Sequence, residues 1–317
     1  ECGGLFELDY EAPDWDPALI DRSCWSIFRY RKFMAVDGEA WRGVTMGEGM
    51  TPIIEFEPGV LFKMDYYMPT LSFKDRGAAT LVSHMAAIGV KSCIYVPEGT
   101  SPKKITMIEA HGAKVHVIEG SRDHCADVCR EQVFKNGAYY ANHVYNPYFY
   151  EGMKAYIYET LEQLGRIPAN ILVPLGTGTL FLGTVKALEH LERSGAIKSL
   201  PNVSQRTDID PLYTAVDKRL HQPAEIEVKP TIAEGIAIGK PMRGREIMAM
   251  IKRHNIKVVT APEDKILECR ARIARRGIFC EHTTAANLAA YEHYCELYGP
   301  TPDVLMPLCG AGIKSEH

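Results

Sequence analysis

Short apolar runs alternate with longer amphipathic stretches along most of this chain, and no other feature of the sequence constrains its fold as strongly. Runs of strand length include Cys93-Ile94-Tyr95-Val96 and Ile171-Leu172-Val173-Pro174, and helical patterns cover 72–88, 180–193 and 262–275. Alternation of this kind is typical of α/β proteins with a largely parallel sheet. A chain of 317 residues usually divides into two lobes, so we expect a two-lobed α/β protein.

Charge and cysteine content argue against several other classes of protein. The formal net charge of -4 disfavours a nucleic-acid surface, which normally shows a basic excess. No run of about eighteen apolar residues occurs, so no membrane-spanning helix is expected, and the first residues lack the pattern of a signal peptide. Nine cysteines without any C-x-x-C pair disfavour a disulfide framework and favour a reducing cytoplasm.

The segment Thr70-Leu71-Ser72-Phe73-Lys74-Asp75-Arg76-Gly77 contains a candidate reactive lysine. Ser72 can cap a helix, with Asp75 three residues later as in a capping box. Lys74 then lies in the first turn, where the helix dipole destabilises an ammonium and makes the neutral amine more accessible. Schiff-base chemistry requires such an amine. An ordinary solvated lysine is an equally good interpretation of this segment alone.

A predicted strand, a Gly-rich turn and a predicted helix follow one another at 173–180. The turn comprises Gly176, Thr177, Gly178, Thr179 and Leu180. Exposed backbone N–H groups at a helix N-terminus bind anions, and the two threonines add hydroxyl donors. The G-x-G-x-x-G fingerprint of dinucleotide sites is not satisfied because Phe181 stands where Gly is needed. A single phosphate group is the preferred ligand, and a tight connection without a ligand is the alternative.

A third segment, Leu308-Cys309-Gly310-Ala311-Gly312, follows the last predicted strand. Cys309 is a candidate to face a ring nitrogen, although a buried core thiol is the preferred interpretation of this segment taken alone.

Together the three segments resemble the fold-type II pyridoxal-phosphate (PLP) enzymes, and among them the threonine synthase-like branch. The phrases YVPEGTSPKKITMIEAHGAKV, NPYFYEGMKA, EGIAIGKP and EHTTAANLAA match that branch in the same order. The resemblance implies two three-layer αβα lobes with mostly parallel sheets. It also implies a Schiff base of PLP on Lys74, a phosphate bound by Gly176–Leu180, and Cys309 beside the pyridine nitrogen. Glu234, Gly235 and Glu281 line the site by resemblance only, and a homodimer is the family's expected assembly.

The same resemblance divides the chain. Residues 1–55 form an arm and the start of the large domain, 56–80 its strand and lysine helix, 81–148 a small domain, and 149–317 the remaining cofactor-binding domain. The start at Cys2-Gly3-Gly4 resembles the end of a zinc-ribbon-like segment without its preceding cysteine, so we predict no metal.

Two departures from the family pattern affect the functional prediction. The family has a Ser-x-Gly-Asn loop after the lysine helix, which contacts the cofactor ring and the substrate carboxylate. Here Gly89-Val90-Lys91-Ser92 continues directly into Cys93. The preferred interpretation is a stretch left out of this sequence near residue 92; a real deletion would favour an inactive homologue. Leu71 is the second departure, because the family usually has Gly there.

The leading prediction is a PLP-dependent lyase that performs β- or γ-elimination or replacement on a small amino acid, with conversion of O-phosphohomoserine to threonine as the preferred reaction. A serine or threonine dehydratase and a sulfur-nucleophile replacement enzyme are alternatives of the same class. A nucleotide-binding oxidoreductase and a non-catalytic PLP-binding homologue are alternatives of other classes. Arg76, Lys103 and Lys104 are conceivable anion partners, and solvated surface positions are equally good interpretations of all three.

Overall fold

A computed structural model describes residues 5–90, 92–207, 211–218, 220, 222–224, 231–239 and 241–314. These residues form an α/β structure with two separate sheets. Within these ranges no helix is both long enough and apolar enough to span a bilayer. The described strands are β1 (Ile53–Glu57), β2 (Val60–Lys63), β3 (Cys93–Pro97), β4 (Lys114–Ile118), β5 (Asn170–Pro174), β6 (Asn202–Thr207), β7 (Lys257–Thr260) and β8 (Val304–Pro307).

Six strands form the larger sheet in the order β1-β2-β8-β5-β6-β7. Every neighbouring pair is parallel except β1 with β2. All four residues of β8 are buried, and so is every residue of β5 except Asn170. Continuous apolar runs of this kind are expected where helices cover both faces of a parallel sheet. The predicted α/β class with mostly parallel sheets is therefore confirmed.

Ten α-helices lie in the described part of the chain. They are α1 (Lys74–Ala87), α2 (Pro102–Ala110), α3 (Arg122–Asn136), α4 (Pro147–Met153), α5 (Ala155–Leu164), α6 (Thr179–Arg193), α7 (Pro211–Asp217), α8 (Gly244–Arg253), α9 (Glu263–Arg275) and α10 (His282–Tyr298). The sequence explains α9 simply, because Ile266, Cys269 and Ile273 recur at helical spacing and are its buried residues. Asn146 caps α4 by accepting from Tyr148 N–H at 3.0 Å, and Pro147 takes the first helical position.

The smaller sheet consists of β3 and β4 alone, in a parallel register that pairs Cys93 with Lys114 and Pro97 with Ile118. Only Val96 is buried among the ten residues of these strands. Domain limits at residues 80 and 148 stay a prediction, although this sheet lies between them in the sequence.

The N-terminal arm, residues 5–50, packs into the core beside the larger sheet. Ile27, Phe28 and Phe33 are fully buried, and the ring of Trp15 stacks on Tyr158 of α5 at a centroid distance of 5.1 Å. Apolar and aromatic contacts of this extent make the arm an integral part of the core beside the larger sheet.

Candidate active site at the strand carboxyl ends

Three neighbouring parallel strands of the larger sheet end at the same edge. Lys63, the last residue of β2, pairs with Pro307, the last residue of β8, and β5 runs parallel to β8 on its other side. The chain continues from β8 into Cys309 and from β5 into Gly176. Ligands of open α/β sheets bind outside this carboxyl edge, so both predicted segments lie where a ligand site is expected.

The lysine segment is bonded directly to the segment that carries Cys309. Phe73 N–H donates to the Cys309 carbonyl at 2.8 Å, and Ala311 N–H donates to the Leu71 carbonyl at 3.2 Å. Lys74 is the first residue of α1, as predicted, and its side chain is exposed. Its ammonium nitrogen lies 4.6 Å from the centroid of the Phe73 ring. Two segments more than two hundred residues apart in the sequence therefore meet beside Lys74.

The predicted capping box does not form at this helix start. Ser72 Oγ accepts from Lys74 N–H at a long 3.4 Å. Asp75 instead accepts from the N–H and the hydroxyl of Thr70, at 2.7 and 2.5 Å. The Asp75 carboxylate thus closes the turn before α1 and holds the segment from Thr70 to Lys74 in place.

Leu71 has a φ of 60°, in the left-handed region that glycine adopts without strain and other residues rarely adopt. Its N–H still donates to the Met68 carbonyl at 2.8 Å. The position therefore has a backbone conformation that suits glycine while it carries a leucine. This explains why the family usually has Gly at position 71. Backbone strain of this kind is held in place by the surrounding contacts.

Arg76 is fully buried and pairs with two carboxylates of the protein itself, so it is neither a partner for a substrate anion nor a solvated surface residue, and both interpretations offered for it are wrong. Its guanidinium is fully buried and donates to both carboxylate oxygens of Asp65, at 2.9 and 2.8 Å, and of Glu159, at 2.6 and 2.8 Å. Lys63 Nζ also binds Glu159, at 2.7 Å. Burial raises the pKa of Glu159, but Arg76 and Lys63 outweigh this and hold it at about 2. The side chains of Lys103 and Lys104 lie outside the described part of the structure.

The Gly-rich turn forms the N-terminus of α6 as predicted. Gly178 occupies the cap position with a φ of 84°, and no side chain caps the helix. A Cβ on Gly178 would lie 2.3 Å from Ile247 Cδ1, so backbone conformation and space both require glycine. Thr177 is half-buried, and Thr179 and Leu180 are buried. Leu180 therefore offers the site a backbone N–H rather than its side chain.

A short 3-10 turn, Glu234–Ile236, lies in space between the Gly-rich turn and α10. A Cβ on Gly176 would lie 3.2 Å from the Gly235 carbonyl oxygen, and Gly235 N–H donates to Thr283 Oγ1 at 3.1 Å. Gly235 thus lies beside the predicted phosphate turn. The side chain of Glu234 lies outside the described residues.

The start of α10 completes the site on the Cys309 side. Glu281 N–H donates to the Gly310 carbonyl at 3.0 Å, and the Glu281 carboxyl carbon would lie 2.5 Å from a Cβ at Gly310. Thr284 Oγ1 accepts from the N–H groups of both Cys309 and Gly310, at 3.1 Å each. Cys309 is buried, so its thiol position is fixed by the backbone around it.

Thr283 and Thr284 are site residues that sequence reasoning did not single out. Both lie within EHTTAANLAA, a phrase used only for the family resemblance. The sequence feature that could have identified them is the pair of hydroxyl residues at a helix start next to Glu281, because such hydroxyls commonly bind nearby backbone N–H or C=O groups.

Two of the three parts of the predicted PLP site are present: a turn that fits the phosphate and an amine that fits the aldehyde group. Uncapped N–H groups at α6, with no acidic residue in its first turn, fit a phosphate. The exposed amine of Lys74, in a segment that is hydrogen-bonded to the segment carrying Cys309, fits the aldehyde group of PLP. The third part, the loop that the family pattern has after the lysine helix, is not found between α1 and β3 in the described residues.

Residues 88–92 are the whole connection between α1 and β3, and the dipeptide Gly-Asn occurs nowhere in the 317 residues. The described residues thus provide no such loop between α1 and β3, and the stretch expected near residue 92 stays a prediction. Exposure of Lys74 is consistent with a site that lacks this loop.

Comparison with known proteins agrees with the class that this site defines. A family profile described as "Pyridoxal-phosphate dependent enzyme" matches residues 82–310, most of the chain. The chain therefore belongs to the family of pyridoxal-phosphate dependent enzymes, and PLP is its cofactor. The match begins after Lys74, so the role of this lysine depends on the motif and the geometry described above.

Curated relatives and solved structures are similar to this chain in the same way. A threonine synthase of Methanocaldococcus jannaschii is 26% identical over 337 residues, covering 93% of this chain and 83% of its own length. A threonine synthase of Halalkalibacterium halodurans is 27% identical, covering 82% and 80%. A threonine deaminase of Solanum lycopersicum shares the fold with a TM-score of 0.70 at 16% identity, covering 98% and 93%. Maize serine racemase has a TM-score of 0.68 at 16% identity, covering 88% and 94%. The fold-type II architecture is thereby confirmed.

Proposed function

We propose that this chain holds PLP covalently through Lys74 and catalyses β- or γ-elimination or replacement on a small amino acid. Conversion of O-phosphohomoserine to threonine is the preferred reaction, because the curated relatives named above are threonine synthases. The observation that carries the proposal is the 2.8 Å hydrogen bond from Phe73 N–H to the Cys309 carbonyl. It supports the proposal by bringing an accessible amine and a buried thiol to the same edge as an uncapped phosphate turn.

Each group of the site has a distinct role in this proposal. PLP, when bound, withdraws electrons from the substrate Cα and so permits loss of a proton and of a leaving group. Backbone N–H groups at Gly176–Leu180 and the hydroxyls of Thr177 and Thr179 bind the phosphate. The Lys74 amine, once free of the cofactor, moves the proton at the substrate Cα. A neutral Cys309 thiol beside the ring nitrogen would leave that nitrogen unprotonated, which favours elimination or replacement over transamination.

Assembly and location are part of the same proposal. A homodimer is proposed from the family resemblance. A reducing compartment such as the cytoplasm is supported by the eight described cysteines, which are all free thiols.

A second candidate, cofactor binding without turnover, is favoured by one observation. Residues 88–92 leave no loop between α1 and β3 to cover the ring and bind a substrate carboxylate. The phosphate turn and Lys74 do not depend on that loop, because they are held by Cys309, Gly235 and α10. Cofactor binding could therefore persist where turnover is lost.

Borohydride reduction of the PLP-saturated protein separates these candidates from a protein that does not bind the cofactor. Reduction should add a stable cofactor adduct, and peptide mapping should place it on Lys74. Lys74→Arg should abolish the adduct, whereas Lys265→Arg, at a solvent-exposed lysine in α9, should leave it intact. An adduct elsewhere, or none, would overturn the role of Lys74.

Turnover is then measured on the same preparation. Phosphate release with threonine formation from O-phosphohomoserine supports the preferred reaction. Keto acid from serine or threonine supports a dehydratase, and a sulfur-substituted product from serine with sulfite or sulfide supports a replacement enzyme. A Lys74 adduct without any of these products would favour the non-catalytic homologue.

A further inference from the structure

Arg243, immediately before α8, uses every N–H of its guanidinium. The side chain is almost fully buried. Nε donates to the Val144 carbonyl at 2.8 Å. Nη1 donates to Glu246 Oε2 at 2.9 Å and to Glu7 Oε1 at 3.3 Å. Nη2 donates to the carbonyls of Tyr145 at 2.8 Å and Phe6 at 3.1 Å. Its guanidinium carbon also lies 5.0 Å from the centroid of the Tyr150 ring. A planar fork with all five donors bound is a rigid connector.

The partners of Arg243 belong to two segments that are distant in the chain. Val144 and Tyr145 lie on the connection from α3 to α4, by which the chain returns from the smaller sheet to the large lobe. Phe6 and Glu7 belong to the N-terminal arm. One buried side chain therefore holds the arm and this return crossing at fixed positions relative to α8.

The same residue is joined to the phosphate turn through α8. Ile247 N–H donates to the Arg243 carbonyl at 3.0 Å, and Ile247 is fully buried. A Cβ at Gly178 would lie 2.3 Å from Ile247 Cδ1, so the Ile247 side chain packs directly against the cap residue of α6. Displacement of the start of α8 must displace this support, because packed side chains leave no free space to absorb it.

We propose that Arg243 is a positioning residue for the phosphate turn, coupling the N-terminal arm and the return crossing to the Ile247 side chain that supports Gly178. The inference depends on the proposed phosphate site, which it deepens by naming what holds that site in place. It gives the arm a function beyond packing: an undocked arm should weaken cofactor binding although no arm residue is part of the proposed site.

The test compares Arg243→Met with Arg253→Met, an exposed arginine at the other end of the same helix that pairs with Glu189. PLP is titrated into apoprotein by absorbance. Arg243→Met should raise the Kd by roughly 2- to 30-fold, the range of typical coupling effects, with partial recovery in Arg243→Lys. Arg253→Met should bind PLP like the natural chain.

Hydrogen exchange of the apoprotein supplies a readout that needs no cofactor. Arg243→Met should accelerate exchange of the peptide covering 175–180 more than that of the peptide covering 53–63. If Arg243→Met does not fold, Glu7→Gln replaces it, with the exposed Glu11→Gln as its control. Unchanged Kd and unchanged exchange at 175–180 would overturn the inference, whatever happens to the melting temperature. If the natural chain binds no PLP, the proposed function fails instead, and the exchange data still decide the coupling.

Discussion

Replacement of Arg76 by methionine tests whether the buried charge network holds the start of the lysine helix. Arg76 binds two carboxylates, and the side chains of Arg76, Asp65 and Glu159 are all fully buried. Arg166 provides a matched control, because it binds both oxygens of Asp303 at 2.8 and 2.7 Å with the two side chains 54% and 32% exposed. The two pairs have the same chemistry and differ in burial.

The expected losses follow from that difference. Removing Arg76 leaves two buried carboxylates with Lys63 as the only remaining cation of the network. Breaking a buried ion pair in this way costs about 3–5 kcal/mol, whereas an exposed pair contributes about 0–1 kcal/mol. Urea denaturation followed by circular dichroism at pH 7 should therefore rank Arg76→Met well below Arg166→Met in unfolding free energy.

The dependence on pH adds a second measurement. The folded pKa of Glu159 is lowered from 4.5 to about 2, so its contribution to stability is present above about pH 4.5 and is lost as the pH falls toward 2. In Arg76→Met, burial acts without its main opponent, so the folded pKa of Glu159 rises and protonation relieves the unpaired charge. The gap between Arg76→Met and the natural chain should thus narrow between pH 7 and pH 5. Equal losses for Arg76→Met and Arg166→Met, or a gap that does not change with pH, would refute this reasoning.

Three further predictions concern single positions. At Leu71, with its φ of 60°, the Gly variant should be more stable than the Ala variant by about 1 kcal/mol in urea unfolding, and equal stabilities would contradict the strained backbone. Gly178→Ala should weaken PLP binding in an absorbance titration; adding Ile247→Val removes the colliding Cδ1 but not the strained φ, so only partial recovery is expected. Iodoacetamide should alkylate exposed Cys93 before Cys280, because burial raises the pKa of Cys280 to about 12, and mass spectrometry of the peptides will show the order.

Local patterns predicted those elements whose residues carry a clear apolar signal. The apolar run that begins at Cys93 is β3, and the apolar run ending at Pro174 is β5. β6 (Asn202–Thr207), which pairs with both β5 and β7, carries no such signal. Its sequence NVSQRT has a single large apolar residue, so no periodicity reveals it; hydrogen bonds to two distant strands define it instead.

The site shows the same division between local and distant information. Lys74 and Gly178 could be identified because a helix start and a Gly-rich turn are local features of a few residues. The contact that fixes Cys309 could not, because Thr284 lies 25 residues away in the sequence. Arg76 was misjudged for the same reason: its partner Glu159 is 83 residues distant, and a lone arginine in a helix gives no sign of burial.

Cofactor binding and turnover depend on different parts of this chain. Lys74 and Cys309 are held together by hydrogen bonds among 71–73, 309–311 and 280–284. The proposed phosphate turn packs against Gly235, which is bonded to Thr283, and all of these residues lie outside 81–148. A loop contacting the substrate carboxylate would have to come from between α1 and β3, where only residues 88–92 stand. Because the first set of contacts is complete without the second, loss of the loop should reduce substrate affinity and turnover far more than cofactor affinity. Should the turnover assays find no product, this geometry therefore predicts that PLP binding persists and is not lost together with turnover.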